Sequence, residues 1–257
     1  LHVKRHSFPT RRSSDLASGI SKFLIVWKEK DNEVLSGALY YRFGSAINNQ
    51  IQFLTTKNYI PETTINTLYP TVSCKVSQSE YPIYFQLVWQ QNGSTTSDIH
   101  YREVAFNGQQ TTFGDLDILS CGSGYTYNSY PSTTVMNDNI PRVTWYAERT
   151  IEEGGRLNKS ETPVTQKRVL FTDPSVSYFW TFGNLVGKPS INRSADNLKY
   201  YIAWSEPIGS AFNGKSVDNT LSSGNIKTLS DLTGTDIQVV NGATDSEIRA
   251  VSLNNSG

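Results

Sequence analysis

Four tryptophans each close a short apolar run and recur at a nearly constant step. The runs are Phe23–Trp27, Ile83–Trp89, Pro141–Trp145 and Tyr200–Trp204, and the Trp-to-Trp intervals are 62, 56 and 59 residues. A second marker stays in phase ahead of the last three tryptophans: Tyr69-Pro70-Thr71-Val72, Tyr130-Pro131-Ser132-Thr133 and Lys188-Pro189-Ser190-Ile191. A third follows the first two, Leu39-Tyr40-Tyr41-Arg42 and Ile99-His100-Tyr101-Arg102. Markers that keep one period mark a repeat protein, in which each unit buries its apolar face against the next.

Within a unit of about 60 residues the pattern predicts four short strands. In the second unit they fall near 70–76, 83–90, 98–104 and 115–119; in the third near 131–135, 140–147, 167–171 and 177–182; in the fourth near 189–193, 199–205, 225–229 and 236–240. Turn pairs such as Asn92-Gly93, Asn107-Gly108 and Asn241-Gly242 separate them. Fourteen Tyr and five Trp against a single Met, with only 18% charged residues, favour strands over amphipathic helices. The Trp-ending strands are apolar on both alternating faces, with Ile83, Phe85, Leu87 and Trp89 on one side and Tyr84 and Val88 on the other. Such strands lie between two sheets.

The expected fold class is therefore all-β: a partial β-propeller of about four four-stranded blades. The blades span about 20–60, 69–120, 130–183 and 188–241, and residues 245–253 start the next. The first unit enters at its Trp strand with no Tyr-Pro strand before it, so the expectation is an open fragment of a larger ring. Its apolar end faces would then favour self-association. Pairing of 246–252 with 23–27 would instead close a four-bladed ring. The rival architecture, a β-sandwich or two immunoglobulin-like domains, predicts a period near 100 residues and is disfavoured by the shorter step.

The Pro-Ser/Thr strand, the apolar run to Trp and the Asp98-Ile99-His100-Tyr101-Arg102 segment resemble the blades of sialidase-like bacterial surface propellers. The resemblance implies a propeller and a secreted or cell-surface setting. It does not extend to activity, because the Ser-x-Asp-x-Gly-x-Thr-Trp turn of sialidase blades is missing throughout. Residues 6–16, from His6 to Leu16, resemble a translated sequencing-library adapter of the kind found at the ends of metagenomic reading frames. Residues 1–16 are accordingly expected to form a non-native arm, with 17–257 as the propeller fragment.

That arm contains Lys4, Arg5, Arg11 and Arg12 against Asp15, which leaves 19 basic and 22 acidic side chains elsewhere. A nucleic-acid-binding surface needs a basic face, and this composition does not supply one. No run of 18 apolar residues is present to span a membrane as a helix, and no signal peptide is recognisable. Cys74 and Cys121 lack metal-ligand or CxxC spacing. No catalytic residue, metal or cofactor is assigned. His100 is the one histidine outside the arm and is expected to be structural, and Asp115 and Asp117 alone do not make a calcium cage.

The candidate binding residues follow from topology. The exits of the second strands and the links between units share one face of a propeller, where ligands commonly bind. Glu29, Gln91 and Glu206 stand two residues after their tryptophans and Glu148 three after, and the link into the third unit carries Tyr125 and Tyr127. Aromatic residues beside carboxylates suit a glycan or a protein ligand. The expected function is a non-catalytic extracellular or cell-surface module that binds glycan or protein. The alternatives are a fragment of a carbohydrate-active enzyme, with carboxylates from two blades on one pocket, and a structural repeat spacer.

Overall fold

The computed structural model describes residues 20–28, 38–47, 50–75, 81–120, 123–135, 138–151, 164–172, 180–182, 189–193, 199–205, 212–218, 227–230, 236–241 and 248–253. These residues form strands and connections without a helix. Residues 1–16 lie outside the described residues.

The first unit comprises β1 (Ile20–Lys28), β2 (Leu39–Ile47), β3 (Gln50–Phe53) and β4 (Asn58–Tyr59). The second comprises β5 (Thr67–Cys74), β6 (Ile83–Asn92), β7 (Ser97–Phe106), β8 (Thr111–Phe113) and β9 (Asp117–Ile118). The third runs through β10 (Tyr127–Val135), β11 (Pro141–Ile151), β12 (Val164–Thr172) and β13 (Trp180–Phe182). The fourth holds β14 (Ser190–Arg193), β15 (Lys199–Ser205), β16 (Phe212–Asp218) and β17 (Lys227–Ser230), and β18 (Asp236–Asn241) pairs with β19 (Ile248–Leu253) after it.

Each unit is an antiparallel meander, and the four tryptophans hold one register. Trp27 stands opposite Tyr40, Trp89 opposite His100, Trp145 opposite Leu170 and Trp204 opposite Asn213. The first strands of successive units pack on one another, β5 on β10, β10 on β14 and β14 on β18. Serine hydroxyls tie these inner strands together: the Val135 N–H donates to Ser73 Oγ at 3.0 Å, and the Ile191 N–H to Ser132 Oγ at 3.1 Å. Four-stranded meanders stacked face to face, with their first strands side by side, are the blades of a propeller. The all-β partial propeller expected from the period is the architecture found.

The cores lie between units. Leu24, Leu39, Tyr41 and Phe43 of the first unit pack against Phe85, Leu87, Trp89 and Phe106 of the second. Val88 and Ile99 meet Trp145 and Leu170 between the second and third, and Tyr146, Val169 and Phe171 meet Tyr200, Ile202 and Trp204 between the third and fourth. One β-strand thus faces a different neighbour on each side, which is why its residues are apolar at both parities.

The Tyr-Pro marker has a backbone cause. Both β5 and β10 slip register there, between Leu68 and Thr71 and between Ser129 and Ser132, and Tyr69 and Tyr130 sit at φ of 49° and 53°. A left-handed conformation is costly for a bulky side chain, so the paired bulges are a built-in bend of the inner strands. The Tyr-Arg marker is a latch on the outer strand, which breaks into β3 and β4 in one unit and β8 and β9 in the next. Arg42 Nε donates to Thr55 O at 3.1 Å and Arg102 Nε to Gly114 O at 2.7 Å, each at the break.

Three features differ from the sequence expectation. β16 lies in the stretch 206–224, between the strands expected near 199–205 and 225–229. As a result β17 is the fourth strand of its unit, and the segment 236–241 is not the end of that unit but pairs with 248–253 in the next sheet. β16 was hidden because Asn213, Gly214, Lys215 and Ser216 break the apolar alternation. Second, β7 and β10 join through one parallel pair, Ser97 with Tyr127, and merge the second and third units into one sheet. Third, Trp89, Trp145 and Trp204 are fully buried while Trp27 is half-buried among the described residues. β1 pairs only with β2 and β19 only with β18 among the described strands, so the strand complementation that would close a four-bladed ring is not formed.

Candidate functional site

Of the six residues expected to form a binding face, Glu29 and Glu206 lie outside the described residues. The other four are on one face, at the ends of β6 and β11 and the start of β10. Gln91 is committed to the scaffold: its Oε1 accepts from Thr67 Oγ1 at 2.7 Å and its Nε2 donates to Thr64 Oγ1 at 3.1 Å. Glu148 faces Lys167 at 3.5 Å, and its main-chain carbonyl accepts from the Thr126 N–H. Gln91 and Glu148 therefore serve strand ends here.

The tyrosines are more open. Tyr125 lies under the Arg149 guanidinium, 4.9 Å from its ring centre, while Arg149 Nε donates to Gln166 Oε1 at 2.7 Å. Tyr127 is exposed and meets Tyr146 edge-on; Tyr146 contacts Tyr130, and Tyr130 contacts Tyr69 at 4.5 Å. A row of tyrosines thus runs from the rim toward the inner-strand bulges. Among the described residues no second carboxylate meets Glu148.

A concave site lies at the other end of the second unit, about 24 Å along β6 at 3.4 Å per residue. It is a cleft of about 330 Å³ lined by Pro82, Tyr84, Glu103, Ala105, Asn107, Thr112, Phe113 and Gly114. Cross-strand pairing builds it: Tyr84 stands opposite Ala105, which stands opposite Thr112, and Gln86 opposite Glu103. Lys75 forms an ion pair with Glu103, whose carboxylate also accepts from Gln86 Nε2 at 3.3 Å. Asn107 Oδ1 accepts the N–H groups of Gln109 and Gln110 at 2.9 and 2.7 Å, which leaves its amide nitrogen to donate. The cleft therefore offers the Tyr84 ring, a carboxylate already paired with an ammonium, an amide and a hydroxyl, while Phe113, on the face of Val104, packs its ring on Tyr41.

These residues do not stand at a fixed step after the tryptophans, where the spacing places the candidate site. The signal was the parity of β6 and β7, where Tyr84 and Glu103 alternate with core positions. Two titratable groups of β7 lie in partly buried settings. Burial lowers the pKa of His100 against the opposing pull of Asp98, and burial, with help from Glu103 and Asp117, raises that of Tyr101. Asp115 is not on the strand that holds Asp117, and no cluster of three metal-ligating side chains occurs among the described residues. No helix among them is long and apolar enough to cross a membrane.

No family model matches the chain, and no curated protein matches it. Among solved structures, a fungal lectin from Aleuria aurantia, described as a six-bladed β-propeller with a novel fucose recognition mode, aligns at a TM-score of 0.49 and 11% identity, over 90% of this chain and 70% of the lectin. A mutant of Aleuria aurantia lectin bound to a fucosyl-GlcNAc disaccharide aligns at 0.48 and 10% identity, over 92% and 72%. The propeller assignment for this chain rests on the strand order and inner-strand packing described above.

Proposed function

We propose that the chain is a glycan-binding propeller module of an extracellular or cell-surface protein, and that the cleft on the second unit holds one or two sugar residues. The observation that supports this is the cleft's chemistry. Tyr84 supplies apolar ring surface for sugar C–H groups, while Glu103, Asn107 and Thr112 supply acceptors and donors for hydroxyls. Because Lys75 already balances Glu103, the site suits neutral sugars better than charged ones. Its volume is at the lower end of small-ligand pockets.

The test is a glycan array followed by calorimetry, with fucosides among the ligands. Tyr84→Ala and Glu103→Gln should each weaken binding about tenfold or more, while Tyr127→Ala leaves it unchanged. Absence of glycan binding, or binding lost with Tyr127→Ala and kept with Tyr84→Ala, overturns the assignment.

A further inference from the structure

The cleft on the second unit has a counterpart one unit earlier, and there it is filled. Lys22 stands five residues before Trp27, as Tyr84 stands five before Trp89. Ser45 is opposite Lys22 and Gln52 opposite Ser45, just as Ala105 is opposite Tyr84 and Thr112 opposite Ala105. Both sets face the unit that follows. Lys22 shares its side of β1 with Leu24, which packs on the second unit, and Tyr84 shares its side of β6 with Val88, which packs on the third.

Between the first and second units a ring occupies this place. Tyr81, two residues ahead of β6, lies against Lys22 with Nζ 3.5 Å from the ring centre, and its ring meets that of Phe106. Lys22 and Ser45 are 8% and 2% exposed. Tyr84 and Ala105 are half-buried and border the cleft instead. The matching link of the third unit, residues 136–140, contains no aromatic residue.

The two places differ in the polarity of their surroundings. Next to Lys22 and Ser45 stand Leu24 and Phe43, both buried; next to Tyr84 and Ala105 stand Gln86 and Glu103. Lys75 and Gln86 both bond Glu103 Oε2, which leaves Oε1 to accept from a ligand. Asn107 brings its amide donor from the other end of the cleft. A ring that fits here is apolar on its face and polar around its edge, which describes a pyranose better than a phenol.

Ala105 is the floor. Tyr84 and Thr112 flank it about 5 Å away across the strands, and Glu103 and Asn107 about 7 Å away along β7. All four side chains are longer than alanine, so a ligand resting on Ala105 continues only in the direction away from the sheet.

We propose that the cleft takes a single terminal sugar ring, seated on Tyr84 and Ala105 in the place that Tyr81 takes on the first unit, and that Ala105 sets the size of ring admitted. The proposal rests on the glycan reading of the cleft and narrows it: a sugar inside a chain would have to leave past Glu103 or Asn107, whereas a chain end does not.

The probes are the methyl glycosides of fucose, galactose, mannose, glucose and N-acetylglucosamine, and oligosaccharides that end in each. Calorimetry on the full chain should find a methyl glycoside that binds one to one, within about threefold of the oligosaccharide it terminates. Ala105→Ser, the residue of the first unit, should keep this binding. Ala105→Leu should weaken it about tenfold or more with the melting temperature unchanged. Two results overturn the proposal and leave the cleft a glycan site. One is an oligosaccharide whose binding is lost with Glu103→Gln but whose terminal methyl glycoside binds more than about tenfold more weakly. The other is Ala105→Leu binding as the unaltered chain does. Absence of binding by every probe overturns the glycan reading and this one together. The comparison of ligands on the unaltered chain keeps the test independent of whether a variant folds.

Discussion

The two faces of the second unit are held to their neighbours by different chemistry on the same backbone plan. Toward the first unit the contact is aromatic. Phe43 stacks on Phe106 at 4.7 Å and meets Phe85 edge-on at 5.8 Å, and the buried Trp89 indole N–H has no hydrogen-bond partner among the described residues. Toward the third unit a polar clasp is added. Ser97 and Asn128 exchange bonds through Ser97 Oγ at 2.7 and 2.9 Å, Asn128 Nδ2 donates to Ser97 O, and the Trp145 indole donates to Asn128 Oδ1 at 2.8 Å. By the step between Tyr69 and Tyr130, the residue at the place of Asn128 is Thr67, which turns its hydroxyl to Gln91 instead. The repeat thus preserves strand register and tryptophan placement, while the groups that hold one blade to the next are free to change.

The largest effect should come from the aromatic side. Phe43→Ala should cost about 3–5 kcal/mol in denaturant unfolding, the scale for a fully buried ring removed from a packed core. A cost below about 1 kcal/mol would mean that the first unit does not fold against the second. Next is the clasp: Asn128→Ala strands the Trp145 N–H and Ser97 O and should cost about 2–3 kcal/mol. If it costs as little as a surface change, the two faces do not differ in the way described.

A smaller change would make one face resemble the other. Thr67→Asn gives Trp89 Nε1 an acceptor but gives up the bond to Gln91, so stability should move by no more than about 1 kcal/mol. The informative readout is NMR, where the Trp89 indole proton should exchange more slowly; unchanged exchange would show that the two sites are not equivalent.

The smallest expected effect depends on pH. Burial lowers the folded-state pKa of His100 from its ordinary 6.5, so the unfolded chain binds the proton more readily. The stability His100 supplies is complete above about pH 6.5 and is lost as pH falls through the folded-state value. His100→Tyr, which copies Tyr40 at the same register position, should flatten the decline in melting temperature between neutral and mildly acidic pH. An identical pH profile would assign the decline to other groups.

The parts of this architecture that repeat were visible in the chain. Trp27, Trp89, Trp145 and Trp204 share one register, as their spacing implied, because a large indole at a fixed place on a two-sided strand is a geometric requirement of stacked sheets. The Tyr-Pro pairs mark bulges, and Arg42 and Arg102 mark breaks in the outer strand; the sequence shows that these residues recur but not what they hold. Non-repeating features could not be read. The cleft depends on Tyr84, Glu103 and Thr112 coming from three strands, and no local pattern distinguishes them from ordinary surface positions. The four described rim residues do share a face, but two of them, Gln91 and Glu148, are occupied by scaffold contacts that sequence spacing does not show.

The single parallel pair between Ser97 and Tyr127 has a consequence for how the molecule comes apart. All other described ladders lie within one unit, so the units resemble beads whose stabilities and nearest-neighbour couplings add along a line. The clasp changes one link in that line, because its buried bonds must break together with the backbone pair. The second and third units should therefore exchange their core amides as one cooperative block, while the first unit opens at lower free energy and on its own.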